Sequence, residues 1–414
     1  MLTSVKIRLI PTPEQEILFR KSAGIARWVY NRFIQENREL YKKHKENENL
    51  PSFISEKDFR KELTKLKKTE EFSWMKEVGS NVIKQSAKDA GIALDRYFKG
   101  LSGKPKLKKK YKSKMSFYVN YESLKRTGIG FRGEKLGEVK TKKPLPRLKR
   151  NRHYSNPRIS FDGKYWYLSV SYDTDDLTTK GNKPYLKKVS SKSKFSEKKI
   201  GIDLGVKDLA IVSDDKHENV EHFRNINKTK SILRRERQLK REQRKLSRKI
   251  EDNIDFRDKN GKPHFKRKFN DCKNFQKQKK KVQLKSRQLT NIRDNYVHQT
   301  TSFLTKTKPE RIVIEDLNVK GMMRNRHLSK AVQNQKLFEF RRQLEYKCKI
   351  YGIELVTADR WFPSTKRCSQ CGNKKLDIKL SDRIYICEEC GIIMDRDENA
   401  ALNLANYPEI VLAA

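Results

Sequence analysis

Polar and apolar residues alternate through Leu2-Thr-Ser-Val-Lys-Ile-Arg-Leu-Ile10, and a period of two predicts a strand with one face buried. Pro11-Thr12-Pro13 then predicts a helix start, with Thr12 as N-cap and Pro13 at the first helical position, where no N–H is needed. Helical periodicity continues through Ile25, Trp28, Val29 and Phe33 and recurs over 56–68. It recurs again over 80–98, where Val82, Ile83, Ala87, Ala90, Leu94 and Phe98 form one apolar stripe. These segments predict a helical lobe over 11–110. The tract Gly103-Lys-Pro-Lys-Leu-Lys-Lys-Lys-Tyr-Lys-Ser-Lys114 closes it and reads as a solvated loop that also meets phosphate. Alternation returns in Arg158–Phe161 and Tyr165–Tyr172 around Asp162-Gly163, a hairpin signature. A small β-domain over 1–10 and 111–173, with the helical lobe inserted, follows from this order. Residues 174–198 are rich in Lys and Ser and read as a linker.

From Lys199 the pattern changes. Lys199–Val212 predicts a strand, a glycine turn and a second strand. Residues 229–305 predict two long basic helices around a polar connection near Asp258–Lys262. Ile232, Leu239 and Leu246 fall seven apart in the first, and Val282, Leu289, Tyr296 and Phe303 do so in the second. Each seam suits a helical hairpin packed along one edge. A strand at 311–314, a helix at 331–350, a strand at Ile353–Thr357, a cysteine segment and a short helix from Asn399 complete the chain. Strands alternating with helices predict an α/β sheet over 199–360 and 393–414, with insertions at 229–305 and 361–392. No internal repeat is present.

Charge narrows the partner. The 414 residues carry 97 Lys plus Arg against 51 Asp plus Glu, a formal +46, with 35% hydrophobic residues. Self-repulsion on that scale favours a polyanion, and nucleic acid is the expected partner over histone-like packing or a membrane surface. No apolar stretch approaches the ~20 residues of a membrane span, and the first residues lack the apolar core of a signal peptide. An intracellular compartment is expected.

Against this background three acids stand out. Asp203 lies in Lys199-Ile-Gly-Ile-Asp-Leu-Gly-Val206, Glu315 ends Arg311-Ile-Val-Ile-Glu315, and Asp397 lies in Asp395-Arg-Asp397-Glu-Asn399-Ala-Ala401. Singly, each has a structural reading: a hydrogen-bonded strand Asp, a solvated strand end, a helix cap. Together, on a strand centre, a strand end and a helix start, they fit phosphodiester hydrolysis by two Mg2+ ions, the layout of an RNase H-like core. Spacing alone leaves Asp395 and Asp397 competing for the third place.

Cys368-Ser-Gln-Cys371, fifteen residues, then Cys387-Glu-Glu-Cys390 matches a four-thiolate zinc template, with Gly372 and Gly391 where each knuckle needs a left-handed residue. Four thiolates leave no open position, so the expected Zn2+ is structural. Cys272 and Cys348 read as free thiols. Trp361-Phe362-Pro363 reads as packing rather than a stacking platform. Trp28 and Tyr30 read as core, while Phe117 and Tyr118 are candidates for base stacking.

These residues together resemble the TnpB proteins, transposon-encoded RuvC-containing relatives of type V CRISPR effectors. The resemblance rests on Gly201-Ile-Asp203-Leu-Gly205, Ile314-Glu315-Asp-Leu317, Phe362-Pro-Ser-Thr-Lys-Arg-Cys-Ser-Gln-Cys-Gly372 and Asp395-Arg-Asp397-Glu-Asn-Ala-Ala-Leu-Asn403. It extends to Ala26-Arg-Trp-Val-Tyr-Asn31 and Ser116-Phe117-Tyr118, so it covers nearly the whole chain. It implies an α/β and α+β multidomain protein. The expected parts are an RNase H-like (RuvC) nuclease core with an inserted zinc ribbon and an N-terminal β-barrel-like (wedge) domain with an inserted helical recognition lobe.

The activity implied is that of an RNA-guided DNA endonuclease. It would bind a noncoding guide RNA, read a short motif beside a double-stranded target and cut DNA with Asp203, Glu315 and Asp397 on Mg2+. The resemblance favours Asp397 over Asp395, because the family's third acid stands two residues before the motif's Asn, here Asn399. It implies a cytoplasmic, nucleoid-associated prokaryotic protein and leaves the oligomeric state open. The competing expectations are a compact type V CRISPR effector and a non-cleaving RNA-guided DNA-binding regulator. A DNA-joining transposase is disfavoured, since no Tyr or Ser nucleophile motif is apparent.

Overall fold

In a computed structural model the chain divides into two units, Met1–Leu186 and Lys187–Ala414. The residues described are 2–110, 113–179, 182, 196–259, 261–269, 271–375, 377–379 and 382–408. Both units mix helix and strand.

In the first unit β1 (Leu2–Ile10) leads into α1 (Pro13–Glu46), followed by α2 (Glu56–Leu66) and α3 (Ser80–Phe98). The start of α1 is set by a capping box: Thr12 Oγ1 accepts from the Gln15 N–H, and the Gln15 side chain accepts from the Thr12 N–H. The strands are β2 (Ser116–Tyr118), β3 (Lys125–Arg126), β4 (Gly130–Gly133), β5 (Gly137–Thr141), β6 (Ser155–Phe161) and β7 (Trp166–Asp173). They join β1 in one sheet of order β2-β6-β7-β1-β5-β4-β3. Phe19, Val29, Phe33 and Ile34 of α1, Phe59 of α2, Ala87 and Ala90 of α3, and Phe117, Ile159 and Leu168 of the sheet share one core. Each large side chain buried there contributes about 1.5–3 kcal/mol. Arg158 of β6 grips Asp89 of α3 through two 2.8 Å bonds, tying helix to sheet.

Several expectations are corrected here. Phe98, the last residue of α3, lies beyond the packed stripe and is 70% exposed. Phe117 is buried in the core and cannot stack on a base. The described part of the basic tract is the mostly exposed loop expected, but it is strapped to α1 at Lys108. Asn31 brackets Lys108 through both backbone groups (2.7 and 2.9 Å), and the Lys108 ammonium sits 3.7 Å from the Tyr30 ring centre. The described ends of the expected linker are structured: Leu177 is buried and bridges Leu148, and a strand has begun by Ser196. The rest of that segment lies outside the described residues.

The second unit is built on β8 (Ser196–Leu204), β9 (Asp208–Asp214), β10 (Val220–Arg224), β13 (Pro309–Glu315) and β14 (Glu354–Ala358), in the order β10-β9-β8-β13-β14. β8, β13 and β14 run parallel, while β9 and β10 are antiparallel. Parallel neighbours need crossovers. One is the helical pair α4 (Lys230–Glu251) and α5 (Lys273–Lys306); the other holds α6 (Val319–Met322), α7 (Ser329–Gln335) and α8 (Leu337–Tyr351). The chain ends in β15 (Ile384–Ile386), β16 (Ile393–Asp395) and α9 (Arg396–Ala405).

Here too the structure departs from the simple pattern. The polar connection between α4 and α5 folds as a hairpin of β11 (Ile254–Arg257) and β12 (Pro263–Phe265). Phe303 is 47% exposed, while Val297 and Leu304 are buried. A strict seven-residue seam drifts about 20° per heptad on a straight helix, so Phe303 has rotated off the buried face. The helix expected over 331–350 is broken at Lys336, whose φ is +63°. The break turns buried Gln335 back to donate to the Gly205 and Asp208 carbonyls (3.2 and 3.3 Å), holding the β8–β9 turn. Among the described residues no helix is long and apolar enough to cross a membrane.

Candidate active site

Alternation along β8 and β13 decides which residues face which side. Ile200, Ile202 and Leu204, with Ile312 and Ile314, enter a core shared with Val297 and Leu304 of α5 and Phe340 and Leu344 of α8. Gly201, Asp203, Val313 and Glu315 therefore face the side covered by α9. The parallel register pairs Gly201 with Val313 and Ile202 with Ile314. One step further, Asp203 and Glu315 stand side by side.

The helix reaches them because of a glycine. A Cβ on Gly201 would lie 2.0 Å from the Ala401 carbonyl oxygen and 2.2 Å from the Ala405 nitrogen, so only glycine lets α9 rest directly on β8. The helix begins at Arg396, three residues before the expected start at Asn399, and Asp395 is its cap. Asp395 Oδ1 accepts from the Asp397 and Glu398 N–H groups (2.8 and 3.3 Å), and Lys207 lies 3.8 Å from Oδ2. Asp397, in the first turn, projects its charge onto both Asp203 and Glu315. Asp395 thus caps the helix and acts on Asp203 more weakly than Asp397 does, while Asp397 acts on both strand acids.

Electrostatic coupling ties the three acids into one cluster. Burial, then the Glu315 charge, then the Asp397 charge hold the Asp203 carboxyl well above the usual carboxylate range, and Arg396 only partly offsets this. Asp203 is densely surrounded yet keeps an opening to solvent. Glu315 is raised in the same way, by burial first; Ser364 opposes the rise by donating from Oγ to Oε1 at 2.6 Å. Arg396 steadies Asp397 from Nε and Nη2 (3.3 and 3.1 Å). Neighbouring Asp316 takes no part: Arg341 and Arg360 occupy its two oxygens (2.9 and 2.6 Å) and hold its pKa down. Like charges gathered in a low-dielectric place favour a metal, and a donor set made of carboxylate oxygens suits a hard divalent ion such as Mg2+.

The sequence reading missed Ser364 and the two asparagines of α9. Asn399 donates to the Arg367 carbonyl (2.8 Å) and accepts from the Ser369 N–H (3.0 Å). Asn403 donates to the carbonyls of Ser364 and Arg367 (2.8 and 2.7 Å). They anchor the cysteine segment to the helix that carries Asp397. Their only sequence signal is residence inside the two terminal motifs.

Cys368, Cys371, Cys387 and Cys390 gather with all four sulfurs within 4.8 Å of one another. Sγ separations of 3.6 Å (Cys368–Cys390) and 3.5 Å (Cys371–Cys387) are close to the ~3.8 Å edge of a tetrahedron with ~2.3 Å Zn–S bonds. Gly372 and Gly391 have φ of +80° and +72°, and their N–H groups close the knuckles onto Cys368 and Cys387. Burial pushes the isolated Cys348 thiol up to about 12, an inert group, and Cys272 is also unpaired with another cysteine. Trp361 departs from its expected packing role: Phe362 packs edge-on against Tyr407 (4.8 Å), but Trp361 is 85% exposed.

Three family models match successive parts of the chain. A helix-turn-helix domain model (HTH_OrfB_IS605) matches residues 1–46, here β1 and the single helix α1. A "Probable transposase" model (OrfB_IS605) matches 182–326, and a Cas12f1-like TNB domain model matches 338–404. A "Putative RNA-guided DNA endonuclease" of Streptomyces pristinaespiralis is 28% identical over 407 residues, spanning 96% of this chain and 87% of its own. The "Putative RNA-guided DNA endonuclease InsQ" of Escherichia coli (strain K12) is 27% identical over 439 residues, spanning 100% of this chain and 94% of its own. The "TnpB-like protein L79" of Acanthamoeba polyphaga mimivirus is 33% identical over 124 residues, 28% of this chain and 23% of its own. These matches, with the motifs they span, make the chain similar to the TnpB proteins along nearly its whole length.

Proposed function

We propose that this chain is an RNA-guided DNA endonuclease: it binds a noncoding guide RNA, recognises a short motif beside a double-stranded DNA target, and hydrolyses DNA at Asp203, Glu315 and Asp397. The observation that carries the reading is the convergence of these acids from β8, β13 and α9 on one face of a mixed sheet. That strand order, with acids at two strand positions and a helix start, supports an RNase H-like (RuvC) core. The names of the relatives support the same activity.

Asp203, Glu315 and Asp397 would hold two Mg2+ ions, which when bound supply an activated water and charge for the leaving oxygen. Ser364 orients Glu315 and opposes the rise in its pKa, and Arg396 orients Asp397. Gly201 sets the depth of α9 and so the separation of Asp397 from the strands. The four cysteines would hold a structural Zn2+, and Asn399 and Asn403 pass that rigidity to the first turns of α9. The basic surfaces would take guide and target through phosphates, which give affinity without sequence information, while base pairing selects the target. The wedge-like part (1–10 and 111–173) and helical lobe (11–110) would grip the guide, and α4 and α5 would line the heteroduplex.

The test is to purify the full chain with its copurifying RNA, sequence that RNA, and offer DNA matching its guide segment in Mg2+. A discrete noncoding RNA and target-dependent cleavage are expected. A chain that binds both nucleic acids in Mg2+ without cutting would instead be a regulator.

A further inference from the structure

Trp361 is the most exposed large apolar side chain among the described residues, at 85%. Its backbone is nonetheless pinned on both sides. The Asp359 N–H donates to the Tyr407 hydroxyl (3.1 Å), Asp359 Oδ1 accepts from the Trp361 N–H (2.7 Å), and the Asp359 carbonyl accepts from the Phe362 N–H (3.0 Å). Phe362 is wedged against Tyr407, and Ser364 is bonded to Glu315. Arg360 and Phe362, on either side of Trp361, line a cleft of about 290 Å³ together with Glu315, Asp316 and Ser364. A rigid turn therefore holds a bare indole at the rim of the acidic cleft.

Such exposure forfeits the burial a Trp normally gains, and a ring fixed on a pinned turn is open to an external partner. Two partly or fully exposed cations flank it along the chain. Arg360 has half its side chain in solvent, and Lys366 is exposed two residues beyond the cleft-lining Ser364. An aromatic face flanked by cations beside a nuclease cleft matches the way unpaired bases are held, by stacking plus phosphate contact. In a duplex both faces of each base are already covered, so an indole here selects a single strand.

We propose that Trp361 is a base-stacking positioning residue that seats one unpaired nucleotide of a DNA strand at the cleft mouth, so that the adjoining phosphate reaches Asp203, Glu315 and Asp397. The inference rests on the nuclease reading above and adds to it a residue that positions the strand to be cut.

The test uses the full chain carrying Asp203→Asn, so that nothing is cut. Binding of a short oligothymidylate and of an abasic strand of equal length is measured at one salt concentration, with native Trp361, Trp361→Ala and Trp361→Phe. Trp361→Ala is expected to lose about tenfold in affinity for the oligothymidylate, to bind the abasic strand as before, and to be largely rescued by Trp361→Phe. Oligothymidylate is also expected to quench tryptophan emission, and Trp361→Phe to remove most of that quench; this readout stands even if Trp361→Ala fails to fold. Equal oligothymidylate binding by native and Ala forms, or a quench that persists in Trp361→Phe, overturns the proposal. So does a concentration-dependent rise in mass that Trp361→Ala abolishes, which would make the site a protein contact. Because binding is read without cleavage, the absence of guided cutting by the wild type would count against the nuclease reading alone.

Discussion

Asp203 is an acid kept where its charge is hardest to hold, in a dense environment beside two further acids. Folding raises its pKa and that of Glu315, so the folded chain retains protons that the unfolded chain has released. Without metal, that contribution to stability is most favourable below the unfolded carboxylate pKa of about 4 and is lost as pH rises through the folded-state values. Asp203→Asn removes one of the charges. In EDTA at neutral pH the variant is expected to melt above the wild type, by about 2–4 °C for each kcal/mol regained in a unit of this size. Mg2+ is expected to raise the wild-type Tm and to leave the variant nearly unmoved; calorimetry on the RNA-free chain reads both. A variant that melts lower in EDTA would mean Asp203 is held by structural bonds. At this scale the sequence showed the acids and thiols, because each sits in a local motif. Ser364 was invisible as a partner of Glu315, 49 residues away, because its role exists only once β13 and the cysteine segment have met.

Elements place these residues, and one contact decides the placement: α9 on β8 at Gly201. Gly201→Ala forces its Cβ into the backbone of Ala401 and Ala405, so the helix must lift. Displacing a reacting group by about 1 Å costs about a hundredfold in rate. Gly201→Ala is expected to lower cleavage by at least that factor while the chain still binds zinc and guide RNA, as read by metal analysis and gel shift. Undiminished cleavage would place the site elsewhere. Periodicity revealed β1, the capped start of α1, the span of α3 and the β8–β9 turn, because local spacing and end chemistry specify them. It could not show the break at Lys336, which exists to aim Gln335 at a distant turn, nor the hairpin joining α4 and α5. It placed the start of α9 too late, because Asp395 and Asp397 are equivalent caps until a strand fixes where the helix begins.

The whole molecule is dominated by its +46 charge. A chain that neutralises 6–10 phosphates loses about 10³–10⁵ in affinity between 50 and 200 mM salt. Guide-RNA binding is expected to fall at least that steeply in a salt titration by filter binding, and a flat response would remove nucleic acid as the partner. Charge was legible from composition, and the mixed α/β character from the alternation of patterns. The convergence of the acids was not, since it depends on a parallel register that no local spacing encodes.

The central claim is that Asp203, Glu315 and Asp397 act as one metal-binding centre that cuts DNA. Its most direct test is guide-loaded chain incubated with matched plasmid in Mg2+, comparing wild type with Asp203→Asn, Glu315→Gln, Asp397→Asn and Asp395→Asn. Cleavage is expected to vanish in the first three variants with guide binding unchanged, and to persist in the fourth, whose amide still caps α9. Cleavage surviving in any of the first three, or absent from the wild type, would contradict the account.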